Sequence, residues 1–150
     1  MLVSGLVNIE TTLQIDSFPL SYEPVRYPFW GIDSTVSGVG INVSLALHTL
    51  GDDIHFCTLL GSDFYGEMAQ DWIQRQGIST EFFVRRLPQT AQSVILYDMS
   101  GRRQIHVDLK NIQEERYPTE LFEAALERSS AAVICNINFN RPLLDLAKRK

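Results

Sequence analysis

The chain is poor in cysteine and has no long apolar run. Only two cysteines, Cys57 and Cys135, occur in the 150 residues, and both lie inside short apolar stretches. Such a pattern indicates reduced core residues and argues against a disulfide framework or a cysteine-ligated metal. No stretch approaches the length of a membrane span, and no signal peptide precedes the first predicted strand. We therefore expect a cytoplasmic protein with no membrane partner.

Basic charge is also scarce. Asp and Glu total 18 against 13 Lys and Arg, which gives a formal net charge of −5. A nucleic-acid surface usually needs a basic stripe, and the short pairs Arg85-Arg86 and Arg102-Arg103 do not form one. The sequence thus predicts no nucleic-acid partner. Its length and 45% hydrophobic content suit one domain with a substantial core.

The usual phosphate-binding motifs are missing from the one glycine-rich loop, "STVSGVGINVSLALHTLG" (34–51). A dinucleotide fingerprint needs a third glycine, and a P-loop needs Gly-Lys-Ser/Thr. Two interpretations remain open. The loop is a simple turn before a helix, or it is a cradle for a small polyol. In the second case Gly38 and Gly40 allow close backbone approach, and Asn42 offers both a donor and an acceptor to a hydroxyl.

Strand-like and helix-like segments alternate along the chain. Apolar strands are predicted in "MLVSGLVNIE", "DIHFCTLLG" and "AAVICNINF", and helices in "INVSLALHTL", "SDFYGEMAQDWIQRQG" and "YPTELFEAALERS". The first of these helices is apolar nearly all round, so we expect it to be buried on most faces. Alternation of this kind predicts a parallel sheet covered on both faces.

A second, smaller sheet is predicted apart from that core. Pro19, Pro24 and Pro28 break the chain between residues 11 and 36, where short edge strands are expected. The stretch "QSVILYDMSGRRQIHVDL" predicts a hairpin around Ser100-Gly101.

Five segments, taken in order, resemble the N-terminal half of a PfkB-type carbohydrate kinase of the ribokinase family. "VSGLVNIE" resembles its first strand, which usually ends in Asn-x-Asp, and "SGVGIN" resembles its first signature, often Gly-Gly-x-Gly-x-Asn. "LLGSDFYGE" resembles its Gly-x-Asp-x-x-Gly segment, "QSVILYDMSGRRQI" its lid hairpin, and "AAVICNINF" the strand leading to a further sugar contact. The resemblance covers essentially the whole chain.

This resemblance implies an α/β fold, the three-layer ribokinase-like fold in partial form, with a small β-sheet lid. Residues 1–150 would be the N-terminal portion of a single domain, with lid strands within 11–36 and in the 93–109 hairpin. It also implies transfer of the ATP γ-phosphoryl group to a sugar hydroxyl with Mg²⁺, and a homodimer formed through the lid.

The resemblance further implies a set of sugar-binding residues: Glu10, Gly38, Gly40, Asn42 and Asn138. Glu10 stands where the family commonly has Asp, Ser37 replaces the usual first signature glycine, and Asn138 lies where ribokinases often have Glu. Asp63 matches the family's Gly-x-Asp-x-x-Gly segment, although helix capping explains it equally well.

The family's second signature, Gly-Ala-Gly-Asp, is absent from the chain. It supplies the base and an anion hole, so the resemblance places no catalytic residue here and assigns ATP and Mg²⁺ mainly to a C-terminal half. The three histidines show no metal-ligand spacing, and we expect no metal site. Two hypotheses follow: the substrate-binding half of a sugar kinase, inactive alone, or a non-catalytic sugar-binding or dimerising module.

Overall fold

A computed structural model describes residues 1–149. In chain order its elements are β1 (Leu2–Ser4), β2 (Asn8–Gln14), β3 (Ile32–Ser37), α1 (Val39–Thr49), β4 (His55–Gly61), α2 (Phe64–Arg75), β5 (Phe83–Leu87), β6 (Gln92–Tyr97), β7 (Arg103–Asp108), α3 (Thr119–Glu127), β8 (Ala132–Ile134) and α4 (Leu144–Lys148). Two short 3₁₀ helices lie at Lys110–Gln113 and Asn138–Leu143.

The main sheet has the strand order β5-β4-β1-β8, and all of its strand pairs are parallel. Neighbouring residues of β1 and β4 alternate between two hydrophobic clusters, as strand geometry requires. Leu2 and Cys57 face a cluster that contains Phe122 of α3, whereas Val3 and Phe56 face one that contains Ile41 of α1 and Ile73 of α2. The sheet is thus covered on both faces, which confirms the predicted three-layer α/β architecture.

The second sheet has the order β3-β2-β6-β7. Its two outer pairs are antiparallel and its central β2–β6 pair is parallel. The sequence predicted one apolar strand over residues 1–10, but the structure divides it, with β1 in the main sheet and β2 in the small one. Residues 5–7 cross between the sheets, so one continuous segment joins the two.

Three further expectations need correction. α1 is less buried than predicted, because only Gly40, Ile41 and Ser44 are buried and Val39 is 60% exposed. Residues 15–31 contain no strand, so the strands expected within residues 11–36 are limited to the end of β2 and to β3. The predicted strand "AAVICNINF" pairs only over Ala132–Ile134, since its apolar residues then turn into a 3₁₀ helix that buries Phe139.

Other expectations are confirmed. Every residue of β4 is buried, and the hairpin turns at Gly101, whose φ of 85° favours glycine. Asp98 stabilises this turn. Its carboxylate accepts hydrogen bonds from Ser100 and forms an ion pair with Arg102, and these contacts lower the pKa of its carboxyl group.

The two cysteines also match the expectation, because Cys57 and Cys135 are buried free thiols. Within residues 1–149, no helix combines the length and apolarity needed to cross a bilayer.

Asp63 links the start of α2 to the segment that enters the small sheet. It is the N-cap of α2, and its Oδ1 accepts from Gly66 N at 3.0 Å and from Thr90 Oγ1 at 2.6 Å. Its Oδ2 accepts from Thr90 N at 3.1 Å. Partial desolvation acts to raise the pKa of Asp63, but these hydrogen bonds outweigh it and leave the pKa lowered. Both oxygens of the ionised Asp63 carboxylate therefore accept hydrogen bonds.

We expect Asp63→Asn to lower the free energy of unfolding by about 1–3 kcal/mol at pH 7, because an amide must turn its NH₂ group toward a donor. Since the folded-state pKa is lowered, the ionic stabilisation is present above the ordinary pKa of about 4 and is lost as pH falls through the folded value. Urea unfolding from pH 7 to pH 3 should show the two proteins converging. Asp71→Asn, exposed on the same helix, is the control; an equal effect there would contradict the capping role.

Candidate functional site

The candidate site begins where the crossover between the sheets touches the start of α1. A Cβ placed on Gly40 would lie 2.5 Å from the carbonyl carbon of Gly5, and one placed on Gly5 would lie 2.7 Å from the Cα of Gly40. The backbone N–H of Gly40 donates to Leu6 O at 3.0 Å. Two facing glycines therefore let α1 start directly against the crossover.

Gly38 shapes the entry to α1. It is the N-cap residue with φ of 116°, a region that favours glycine, and a Cβ there would lie 2.5 Å from Leu6 O. Asn42 follows in the first turn, where its backbone N–H donates to Gly38 O. Its side chain is exposed and makes no hydrogen bond with the described residues. The N-terminus of α1 at Gly38 and the unpaired amide of Asn42 thus lie close together.

Glu10 lies beside this helix start. It is half-buried on β2, opposite Thr35 of β3, and its Oε2 accepts a hydrogen bond from Ser37 Oγ at 3.2 Å. Ser37 and Glu10 are two positions where the sequence departs from the family pattern, and they contact each other. The hydroxyl at residue 37 orients the longer carboxylate and leaves its other oxygen available to a ligand.

A second polar pair lies under Glu10 and was not singled out from the sequence. Asn8 Nδ2 donates to Ser93 Oγ at 2.7 Å, and both residues are buried. Their pairing ties β2 to β6 at the base of the small sheet. The sequence signal for this pair was the Asn within the apolar run "SGLVNIE", because a buried amide needs a hydrogen-bond partner.

Asn138 makes no hydrogen bond with these residues. It starts a 3₁₀ helix after β8, is exposed, and donates through Nδ2 to Gln113 O at 3.3 Å. Asn140, which sequence reasoning did not single out, is buried and bonds to Ser4 and to Cys135 O. Asn140 therefore ties the ends of β1 and β8, whereas the role of Asn138 stays a prediction.

One face of the small sheet continues outward from Glu10. Strand residues alternate between faces, so Asn8, Glu10, Thr12 and Gln14 share one face with their registered neighbours; we call this the Glu10 face. Its rows across the sheet are Thr35–Glu10–Ser93–Val107, then Asp33–Thr12–Ile95–Ile105, then Gln14–Tyr97–Arg103. The face is polar along β2 and β3 and partly apolar along β6 and β7.

A cavity of about 440 Å³ lies elsewhere, between the 16–28 loop and the outer end of the small sheet. Its lining includes Leu13 and Ile15 of the opposite face and also Gln14 of the Glu10 face. Arg26 also lines it and is ion-paired to Asp16 and Glu23. None of the sugar-binding residues expected from the sequence lines this cavity. The candidate site therefore lies outside this cavity, where the crossover between the sheets meets the start of α1.

A three-layer α/β body carrying a small sheet, with a glycine-shaped helix start between them, is the form shared by sugar kinases of one family. The model of the pfkB family carbohydrate kinases matches residues 6–145. The chain belongs to this family.

Individual relatives agree with this assignment. The uncharacterized sugar kinase YeiI of Escherichia coli (strain K12) is 34% identical over 76 residues, which are 47% of this chain and 21% of YeiI. The microbiome-derived acarbose kinase Mak1 superposes with a TM-score of 0.85 at 26% identity, over 99% of this chain and 49% of Mak1. A ribokinase of Arabidopsis thaliana complexed with ribose and ATP gives a TM-score of 0.72 at 16% identity, over 89% and 44%. The chain spans about half the length of these two solved structures.

We expect Gly40→Ala to destabilise the protein by about 1–3 kcal/mol, because the new methyl group meets the Gly5 backbone. Alanine is otherwise favoured over glycine in a helix by about 1 kcal/mol, so helix propensity alone predicts the opposite sign. Chemical denaturation measures the change. Ala46→Ser, exposed on α1, is the control and should stay within about 0.5 kcal/mol of the parent. A Gly40→Ala protein as stable as the parent would contradict the close backbone contact.

Proposed function

We propose that this chain is the substrate-binding half of an ATP-dependent sugar kinase. The hydrogen bond from Ser37 to Glu10, beside the start of α1, is the observation that carries the proposal. A carboxylate accepts hydrogen bonds from sugar hydroxyls, and the Asn42 amide can both donate and accept. Gly38 and Gly40 keep side chains away from this surface. The proposed sugar contacts are Glu10, Gly38, Gly40, Asn42 and Asn138.

The chain would orient the acceptor and leave the chemistry to residues outside it. Phosphoryl transfer depends on positioning the acceptor hydroxyl and on neutralising charge at the phosphoryl group. Within residues 1–149, no group of three His, Cys, Asp or Glu side chains is arranged to hold a metal ion. We assign Mg²⁺, most of the ATP contacts and the base to a C-terminal half, because the Gly-Ala-Gly-Asp signature is absent from the 150 residues.

Assembly and location complete the proposal. All six residues of β7, at one edge of the small sheet, are exposed. Tyr27, Phe29 and Trp30, in the loop that leads into β3 at the other edge, are between 76% and 101% exposed. Exposed apolar surface beside an unpaired strand edge favours association. We propose a homodimer through the strand edges of this sheet, which acts as the lid. The reduced Cys57 and Cys135 support a cytoplasmic location.

A non-catalytic sugar-binding or dimerising module is the second candidate. The lack of a Gly-Ala-Gly-Asp string in the 150 residues favours it. The mass of the protein made from its natural gene separates the two candidates. A mass well above 17.0 kDa supports the kinase, and a mass of 17.0 kDa supports the module.

In the protein made from the natural gene, we expect Asn42→Ala to lower kcat/KM for the sugar about tenfold or more, since the variant loses hydrogen bonds to the acceptor. The melting temperature should stay near that of the parent because the Asn42 side chain is exposed and unpaired. Thr49→Ala, exposed at the end of the same helix, is the matched control. Unchanged kinetics in Asn42→Ala would contradict a role of Asn42 in sugar binding and would favour the interpretation of the loop as a simple turn.

The 150-residue chain alone should not release ADP from ATP in the presence of any sugar, because it lacks the base. A coupled assay with a panel of monosaccharides and disaccharides measures this. Sugar-dependent ADP release by the pure chain would show that a base lies within it and would overturn the division into two functional halves.

A further inference from the structure

The Glu10 face extends well beyond the space that one sugar ring needs beside Glu10. Two rows of side chains follow the Glu10 row: Asp33–Thr12–Ile95–Ile105 and Gln14–Tyr97–Arg103. Alternate residues on a strand are about 6.7 Å apart and strands are about 4.8 Å apart, so these rows add about 13 Å of length to a surface about 14 Å wide. A ligand held at Glu10 therefore has an adjoining platform on the same sheet.

The polar side chains of this platform are unpaired. Thr12, Gln14, Asp33 and Arg103 have no side-chain hydrogen bond or ion pair with any residue from 1 to 149. Charged residues at the rim of the same sheet differ, since Asp98 pairs with Arg102 and Asp108 pairs with Lys110. The platform thus keeps donors and acceptors available on the face that carries the candidate site.

Its chemistry fits a neutral sugar ring. Hydroxyl, amide and carboxylate groups lie on β2 and β3, whereas Ile95, Ile105 and Tyr97 offer apolar contact on β6 and β7. A sugar presents hydroxyls at its edge and C–H groups on its face, and binding sites combine an apolar surface with a few placed polar groups. An anionic group is disfavoured, because the single cation, Arg103, shares the platform with Asp33.

We propose that the acceptor is a disaccharide or longer saccharide, with one ring at Glu10 and Asn42 and a second ring on the platform. The assignment rests on the proposed sugar kinase function and specifies its substrate class. Thr12 and Tyr97 are the specificity-determining residues: the Thr12 hydroxyl binds a hydroxyl of the second ring, and the Tyr97 ring packs on its C–H face.

The test uses the protein made from its natural gene. ADP release is measured with maltose, cellobiose and trehalose against glucose, and with lactose against galactose. We expect kcat/KM for at least one disaccharide to exceed that of its component monosaccharide by about tenfold, the effect of about 1.4 kcal/mol of added contacts. Phosphorylation of the monosaccharides with no preference for any disaccharide would overturn the proposal of a second sugar ring on the platform. The proposed sugar kinase function would still hold.

Two variants test the residues. Thr12→Val and Tyr97→Leu should each lower kcat/KM for the preferred disaccharide several-fold and leave the monosaccharide value unchanged. Thr11→Val, one residue away on the opposite face, is the matched control and should change neither. Equal losses for both substrates in Thr12→Val and Tyr97→Leu would show a structural effect and contradict the proposal.

Calorimetry with the same sugars separates failure of the platform from failure of the kinase. Tighter binding of a disaccharide than of its monosaccharide, without ADP release, would support the platform and contradict the kinase. Neither binding nor ADP release with any of these sugars would reject both proposals.

Discussion

The contact between Gly5 and Gly40 fixes the relation of the two sheets to α1. Because neither residue has a side chain, the segment that leaves β1 for the small sheet lies directly against the first turn of the helix. The hydrogen bond from Gly40 N to Leu6 O shows that the two backbones are in direct contact. Any side chain at either position would push α1 away from the crossover, and Gly38 and Asn42 would move with it.

Asp63 provides the second point at which the main sheet meets the small one. Its carboxylate joins the start of α2 to Thr90, two residues before β6 begins. The small sheet is thus tied to the body on β2 through the crossover and on β6 through Thr90. With both central strands tied at their base, the outer rows of the sheet extend away from the body and leave the Glu10 face open.

Much of the architecture could be predicted from the sequence, because it depends on local patterns. The alternation of apolar runs predicted the parallel sheet, Gly101 marked the hairpin turn, and Asp63 marked the start of α2. The division of the first strand could not be predicted in this way. Residues 2–9 are apolar enough for one continuous strand, and their separation into β1 and β2 depends on the distant Gly40 and on which sheet each half joins.

The site was less predictable than the fold, for a related reason. Glu10, Gly38, Gly40 and Asn42 were expected from the family resemblance, but the partner of Glu10 was not. Ser37 follows Glu10 by 27 positions, and only the antiparallel register of β2 and β3 brings the two side chains within 3.2 Å. Register also assembles the Glu10 face, since its rows combine β2 and β3 with β6 and β7, which follow much later in the chain.

The two departures from the family pattern are best understood together. A Glu in place of Asp adds one methylene, which moves the carboxylate further from β2 and gives it more rotational freedom. Ser37, in place of a glycine, supplies the hydroxyl that limits this freedom by bonding to Oε2. Gly at residue 37 would leave the longer side chain unrestrained, and Asp at residue 10 would be one methylene shorter in its reach toward the Ser37 hydroxyl. The geometry of the candidate site is therefore a property of the pair, and the outer rows of the Glu10 face begin from the position that this pair defines.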